Sequence, residues 1–237
     1  MRPGGFLARR DADAVEEMDR PDCDPRKLET TYSQFGLVNS LVAGWRRTYT
    51  QLVRPQLASG RKNTLLDIGS GGGDVPRALA RWAHQDGLDL AITAIDPDGR
   101  AHAYATAQPA VPGLTFRRAL SSELVAEGRR FTVVTSNHVL HHLDPAALAG
   151  LLDDCETLTE AFAVHSDISR TRTGYAAFSV GTLPLRGSYI RRDGLTSIRR
   201  SYAPAELNAV LGSRPGWSVR RGVPFRNLLI YRPRSGG

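Results

Sequence analysis

A run of glycines between two acids is the first feature of this sequence that could do chemistry. The apolar stretch Thr64-Leu65-Leu66-Asp67-Ile68 leads directly into Gly69-Ser70-Gly71-Gly72-Gly73. Glycines there let the backbone turn sharply and approach a ligand closely, because no Cβ intervenes. Asp96 closes the next apolar stretch, Leu90–Ile95, where a carboxylate can accept hydrogen bonds from both hydroxyls of a ribose. A glycine turn between strand and helix, with an acid ending the second strand, describes a nucleoside site. Histidine is the second resource. Of six histidines, His138, His141, His142 and His165 fall where strands are expected to end, while His84 and His102 fall in or beside helices. Ligands of open α/β sheets bind outside the carboxyl ends of the strands, and an imidazole that titrates near neutrality can take a proton there. His142 or His165 is the expected base, Asp167 its orienting partner, and Arg170 the group nearest the substrate's negative charge. Each histidine has a competing structural role in capping or packing the helix that follows.

The glycine spacing narrows the nucleoside. A dinucleotide fold would show Gly-x-Gly-x-x-Gly, and a phosphate loop would end in Gly-Lys-Ser or Gly-Lys-Thr; this chain has Gly-x-Gly-x-Gly at 69, 71 and 73, two residues after Asp67. In this it resembles the class I S-adenosylmethionine-dependent methyltransferases, over roughly residues 60–170. The resemblance implies that Asp67, Gly69, Ser70, Gly71 and Gly73 hold the methionine end of S-adenosylmethionine, that Asp96 with Pro97 holds the ribose, and that S-adenosylhomocysteine is the product. Ser136-Asn137-His138-Val139-Leu140-His141-His142-Leu143 is similar to the turn that lines the cofactor in the small-molecule, quinone-biosynthesis branch, which adds Asn137 and His138. One departure stands out. That family often has an acid after the third strand to bind adenine, whereas here the turn reads Arg118-Ala119-Leu120-Ser121-Ser122, leaving adenine to backbone groups at Leu120 or to Ser121. The branch also closes an N-terminal helix over the cofactor, which makes Tyr32, Phe35 and Arg46 the lid residues, with ordinary helix packing as the alternative.

These residues need a scaffold to align them. The expected strands at 64–68, 90–96, 114–117, 131–136 and 161–166 alternate with helical segments at 75–84, 99–108 and 145–158, which implies a doubly wound, mostly parallel α/β sheet of Rossmann-like type. Ahead of it, Leu28, Tyr32, Phe35, Val38, Trp45, Tyr49 and Leu52 recur at helical spacing, with Asp24 as N-cap and Pro25 opening the helix. Residues 1–24 have no lasting period and are expected to be frayed or loosely docked. After Asp167 the alternation stops for some thirty-five residues punctuated by glycine and proline; Tyr175, Phe178, Tyr189, Leu183, Leu185 and Ile190 suit a cap over an apolar ring or tail. A helix begins near 202, and strands at 217–220 and 227–231 should close the sheet as an antiparallel hairpin. The implied division is an arm and helical lid over 1–58 and a core over 59–237, with 168–200 as the cap.

Composition limits the remaining options. The 237 residues, 41% hydrophobic and 23% charged, fit one globular domain rather than a disordered or coiled-coil chain. No stretch approaches the roughly 20 apolar residues of a membrane span, and no apolar leader opens the sequence, so the expectation is a cytoplasmic protein, monomeric or homodimeric. Two distant cysteines, Cys23 and Cys155, form no zinc or redox pattern, and no metal is expected. The formal charge of +7 is concentrated in residues 167–237, with 13 basic and 3 acidic side chains. Only Lys27 and Lys62 are lysines, so a genome-wide preference for arginine accounts for the excess and a nucleic-acid partner is not expected. The acceptor is expected to be a small phenolic, quinol-like or polyketide-derived molecule methylated on oxygen. An enzyme acting on RNA and a cofactor-binding protein without transfer activity stand as alternatives.

Overall fold

The structure, a computed structural model, describes residues 5–42 and 44–234. Strands β1 (Asn63–Ile68), β2 (Leu90–Ile95), β3 (Leu114–Arg117), β4 (Phe131–Asn137), β5 (Thr159–Ile168), β6 (Trp217–Gly222) and β7 (Arg226–Tyr231) form one sheet in the order β3-β2-β1-β4-β5-β7-β6. The first five are parallel, and β7 joins antiparallel to both β5 and β6. Leu65 and Leu66 point to opposite faces and both are fully buried, as a strand covered on two sides requires. One face packs with Leu65, Ile92, Val133 and Phe162; the other with Leu66, Ile95, Val134 and Leu229. Each such aliphatic side chain contributes about 1.5–3 kcal/mol on burial.

Register positions the site. Ile68 lies beside Ile95 on one flank and Ser136 on the other, so Gly69, Asp96 and Asn137 leave the sheet side by side. The strand order reverses between β1, whose connection runs outward to β2, and β4, whose connection runs outward to β5, and that reversal opens a crevice. Helices α1 (Pro25–Val42) and α2 (Trp45–Thr48) precede the sheet, and α3 (Asp74–Gln85), α4 (Gly99–Ala107), α5 (Ser121–Ala126) and α6 (Pro145–Leu158) connect its strands. Asp24 caps α1 as expected, accepting from Arg26 N at 2.9 Å. The C-terminal hairpin is present, with the second strand β7 internal and the first, β6, on the edge. β7 is almost wholly buried, while β6 alternates and carries Arg220 and Arg221, charges that discourage further strand pairing.

Two expectations change. The stretch 168–200 is built largely of two helices, α7 (Arg172–Gly181) and α8 (Ile190–Arg200), before α9 (Pro204–Leu211). Its glycines do not all mark turns: Gly194 lies inside α8, where a Cβ would stand 2.3 Å from the Phe178 ring of α7, so it permits close packing of the two helices. The N-terminal arm, of which residues 1–4 lie outside the described residues, is docked rather than frayed from residue 5 onward. Arg10 Nη2 donates to His141 O at 2.8 Å and Leu143 O at 2.6 Å, and Glu17 N and Met18 N donate to the two oxygens of Asp193 at 2.8 and 3.0 Å. Polar anchors of this kind leave no hydrophobic period to read.

Candidate active site

The crevice above β1 and β4 opens into a cavity of about 990 Å³. At one end the glycine turn is tied to β2, because Gly69 N and Ser70 N both donate to Ile95 O at 2.8 and 3.0 Å. Gly69 has φ +67°, and a Cβ there would lie 2.4 Å from Val139 Cγ2, so both conformation and space demand glycine. Asp96 Oδ2 accepts from Gly71 N at 2.8 Å and its Oδ1 from Asp98 N at 2.9 Å. One backbone bond on each oxygen fixes the carboxylate and leaves lone pairs free toward the cavity. Tyr32 is buried against Tyr104, with ring centroids 5.0 Å apart, and Tyr32, Phe35, Pro97, Asn137 and His138 also line this region. Asn137 lines the cavity, and its Oδ1 is buried without a hydrogen-bond partner, an exception among buried acceptors.

Asp67 lies beneath the turn. Burial raises its carboxyl to about 7, opposed by the Thr135 hydroxyl that donates to Oδ1 at 2.8 Å and assisted by the acids Asp74 and Asp96. Gly73 serves packing: at φ +81°, its Cβ would stand 2.5 Å from the Phe116 ring.

At the middle of the cavity the turn after β4 places three histidines in different settings. His141 Nδ1 donates to Asp167 Oδ1 at 2.7 Å, and His141 N to Oδ2, also at 2.7 Å. Its Nε2 stands 3.3 Å from Glu16 Oε1 in an ion pair. Burial works against charge on all three groups. For His141 the two carboxylates outweigh that penalty and push the imidazolium up to about 10. In return, contact with His141 holds Glu16 and Asp167 at about 2 despite their burial. His138 adopts φ +58°, lines the cavity, and is kept neutral by burial, with its pKa down to about 4. His142 also lines the cavity, is 31% exposed at its side chain, and has Nδ1 3.2 Å from Asp19 Oδ2. The ligand atoms of Glu16, His141 and His142, and those of His138, His141 and Asp167, lie within 4.8 Å of one another. A cation at either group would have to displace the proton that His141 holds so strongly.

Beyond the histidines the cavity is walled by Phe178, Thr182, Leu185 and Ile190 of the cap and by Pro224, Phe225 and Arg226 ahead of and within β7.

Residues 65–161 match the family model described as a methyltransferase domain. Two curated relatives are similar over most of the chain. The ubiquinone biosynthesis O-methyltransferase of Caulobacter vibrioides is 31% identical over 182 residues, 73% of this chain and 65% of that protein. The mitochondrial ubiquinone biosynthesis O-methyltransferase of Arabidopsis thaliana is 33% identical over 177 residues, 72% of this chain and 50% of that one. The chain thus spans between half and two thirds of the length of these relatives. Among solved structures, the plantazolicin methyltransferase BpumL in complex with SAH shares the fold with TM-score 0.56 at 12% identity, covering 89% of this chain and 88% of that one.

The chain carries a class I methyltransferase domain.

Within this methyltransferase fold, the cavity gathers Tyr32, Asp67, Gly69, Ser70, Gly71, Asp96, Pro97, Asn137, His138 and His142 from among the residues expected by sequence. Others fall elsewhere. Arg46 is exposed and lies over the Trp82 ring at 5.2 Å, outside the cavity. Leu120 is 53% exposed, Ser121 donates to Asp154 Oδ2 at 2.6 Å, and neither is among the residues that line the cavity. His165 is buried behind the site, its Nδ1 2.8 Å from Ser136 Oγ and its ring stacked on Trp217; it cannot meet a substrate. Arg170 forms a bidentate pair with Glu206 at 3.0 and 2.6 Å and donates to Leu7 O, a structural clamp rather than an anion site. Asp167 orients His141 instead of His142 or His165. Sequence reasoning missed Glu16, Asp19 and Asp98, the last of which caps α4 by accepting from Arg100 N at 2.8 Å. Asp98 stands two residues after Asp96 and directly before Gly99, an N-cap signal that was available; Glu16 and Asp19 lie in an arm with no periodicity to mark them.

Proposed function

We propose that this chain binds S-adenosylmethionine at the Gly69–Gly73 turn and Asp96, and transfers its methyl group to an oxygen of a small, partly apolar phenolic or quinol-like acceptor. One observation carries the reading: a single cavity joins that nucleoside cradle to an apolar chamber under α7 and α8. The residues fit the cofactor, since the Asp96 carboxylate keeps lone pairs toward the cavity and Asn137 Oδ1 lacks a partner. The relatives named as ubiquinone biosynthesis O-methyltransferases support oxygen as the target.

When bound, the cofactor supplies an electrophilic sulfonium methyl group; the protein supplies alignment and proton management. Asp96 grips ribose hydroxyls. Phe178, Leu185 and Ile190 seat the apolar part of the acceptor and exclude water. His142, oriented by Asp19, takes the acceptor's hydroxyl proton at its free Nε2, the imidazole–carboxylate arrangement that general bases use. His141 is already protonated and fully engaged, so it anchors the arm and the turn instead. Calorimetry with S-adenosylmethionine and S-adenosylhomocysteine, followed by a mass-analysed screen of phenols and quinols with labelled cofactor, tests this. Binding of both and a product heavier by one methyl group are expected; absence of heat with either would end it.

A further inference from the structure

Asp19, the carboxylate beside His142, has little of its own to hold it. It ends the 3-10 turn Glu17–Asp19 of the arm, and its side chain is 39% exposed. Among the described residues its carboxylate meets two groups, both at Oδ2: His142 Nδ1 at 3.2 Å and Arg200 Nη1 at 3.6 Å. An imidazole–carboxylate pair at a solvent edge, left alone, fixes neither side chain. Arg200 is placed differently. It is the last residue of α8, where the helix dipole favours a cation, its side chain is only 11% exposed, and its Nη2 donates to His142 O at 3.5 Å. Its Nη1 also stands 3.9 Å from Glu16 Oε1, but Glu16 has other anchors: the same oxygen accepts from Ser197 Oγ at 2.8 Å and faces His141 Nε2 at 3.3 Å. Loss of the arginine therefore falls on Asp19.

We propose that Arg200 is a positioning residue for methyl transfer, acting through Asp19: it holds the carboxylate on His142 Nδ1, which keeps the ring hydrogen on Nδ1 and the lone pair on Nε2. The inference rests on the function proposed above, in which His142 takes the acceptor's proton. A neutral imidazole carries its hydrogen on one nitrogen only, and the hydrogen bond made by that nitrogen decides which. A base is useful when a third group orients it, and here that group is itself held by a buried charge from another element. The arrangement ties base to cap, because α8 seats the acceptor at its first residue, Ile190, and holds Asp19 from its last.

The tautomer of His142 can be read without any acceptor. In protein carrying nitrogen-15 histidine, with S-adenosylhomocysteine present, the ring nitrogens of His142 are assigned by the signals that His142→Ala loses and are followed to the alkaline end of their titration, where their shifts report which nitrogen holds the hydrogen. The wild type should carry it predominantly on Nδ1. Arg200→Met, which keeps the apolar stem and removes the charge, should move the ring to a mixture of both tautomers; Arg200→Lys, which keeps a charge without the planar fork, should restore part of the preference. Asp19→Ala should show the mixture already, and adding Arg200→Met should change nothing further. On the acceptor that the screen yields, Arg200→Met should lower kcat about tenfold with KM unchanged. A wild type with its hydrogen on Nε2, which needs no variant to fold, would overturn the proposal. So would an unmoved tautomer in folded Arg200→Met, a further shift when Arg200→Met is added to Asp19→Ala, or a rise in KM with kcat intact. Calorimetry with S-adenosylhomocysteine on the wild type, done first, reads the underlying function separately.

Discussion

Asp167 holds His141 twice, accepting from its ring Nδ1 and from its backbone N, each at 2.7 Å. The side chain is thereby fixed in charge and orientation together, and the free face of its ring is left to Glu16 at 3.3 Å. This chain of three charges joins the end of β5, the turn after β4 and the N-terminal arm. It explains why a polar arm with little apolar surface stays against the domain.

The triad gives stability a definite pH dependence. His141 has its pKa raised from 6.5 to about 10, so its contribution is complete below pH 6.5 and lost as pH rises through about 10. Glu16 is depressed from 4.5 to about 2, so its contribution is complete above 4.5 and lost as pH falls through about 2. Glu16→Gln should therefore destabilise most between pH 4.5 and 6.5, by about 3–5 kcal/mol if the buried pair behaves as others do, and the difference should shrink toward pH 10. Urea unfolding of both proteins across that range checks it. A difference that stayed flat from pH 6 to 10 would refute the ion pair.

Much of this was legible in the sequence. Apolar runs such as Leu90–Ile95 gave both a strand and its two-sided burial, and the glycines and acid of the cofactor end followed from where those runs stop. The three histidines at 138, 141 and 142 could not be sorted, because the single 3-10 turn of Leu140–His142 decides which ring faces the cavity and which turns inward to Asp167. Arg170 and Arg226 look alike on paper; their difference is that Glu206 reaches one and no described carboxylate reaches the other. The helices of the cap were not legible because Gly174 and Gly194 mark close approaches to Phe225 and Phe178, and proximity of that kind leaves no local sign.

Asp96→Asn should weaken cofactor binding while leaving the fold intact. Both carboxylate oxygens already accept a backbone N–H, from Gly71 and Asp98, so an amide group must set its own NH2 against one of those donors. What changes the Kd is the charge-assisted hydrogen bond lost from the ribose hydroxyls, about 1.5–3 kcal/mol, a roughly tenfold to hundredfold rise for S-adenosylhomocysteine. Calorimetry would show it; an unchanged Kd would remove Asp96 from the site.

His142 and His165 should separate catalysis from packing. His142→Ala is expected to lower kcat by about a hundredfold or more, the usual worth of a positioned base, with little change in S-adenosylhomocysteine affinity. His165→Ala removes a ring stacked on Trp217 and bonded to Ser136, and should lower Tm without a matching loss of kcat per folded molecule. Steady-state kinetics beside thermal melts test both; full turnover in His142→Ala would move the proton to water or to His138.

The apolar end can be tested through a contact that glycine alone permits. Gly194 in α8 lets the Phe178 ring of α7 approach so closely that an added Cβ would stand 2.3 Å from it. Gly194→Ala must push the two cap helices apart or turn the ring into the cavity that both residues line. Because overpacking of this kind costs about 1–3 kcal/mol, Tm should fall and KM for the acceptor should rise, while S-adenosylhomocysteine binding at the far end stays as it was. Shortening the ring in the same protein, Gly194→Ala with Phe178→Leu, should recover part of the lost Tm. A double variant no more stable than Gly194→Ala alone would show that the strain lies elsewhere in the cap.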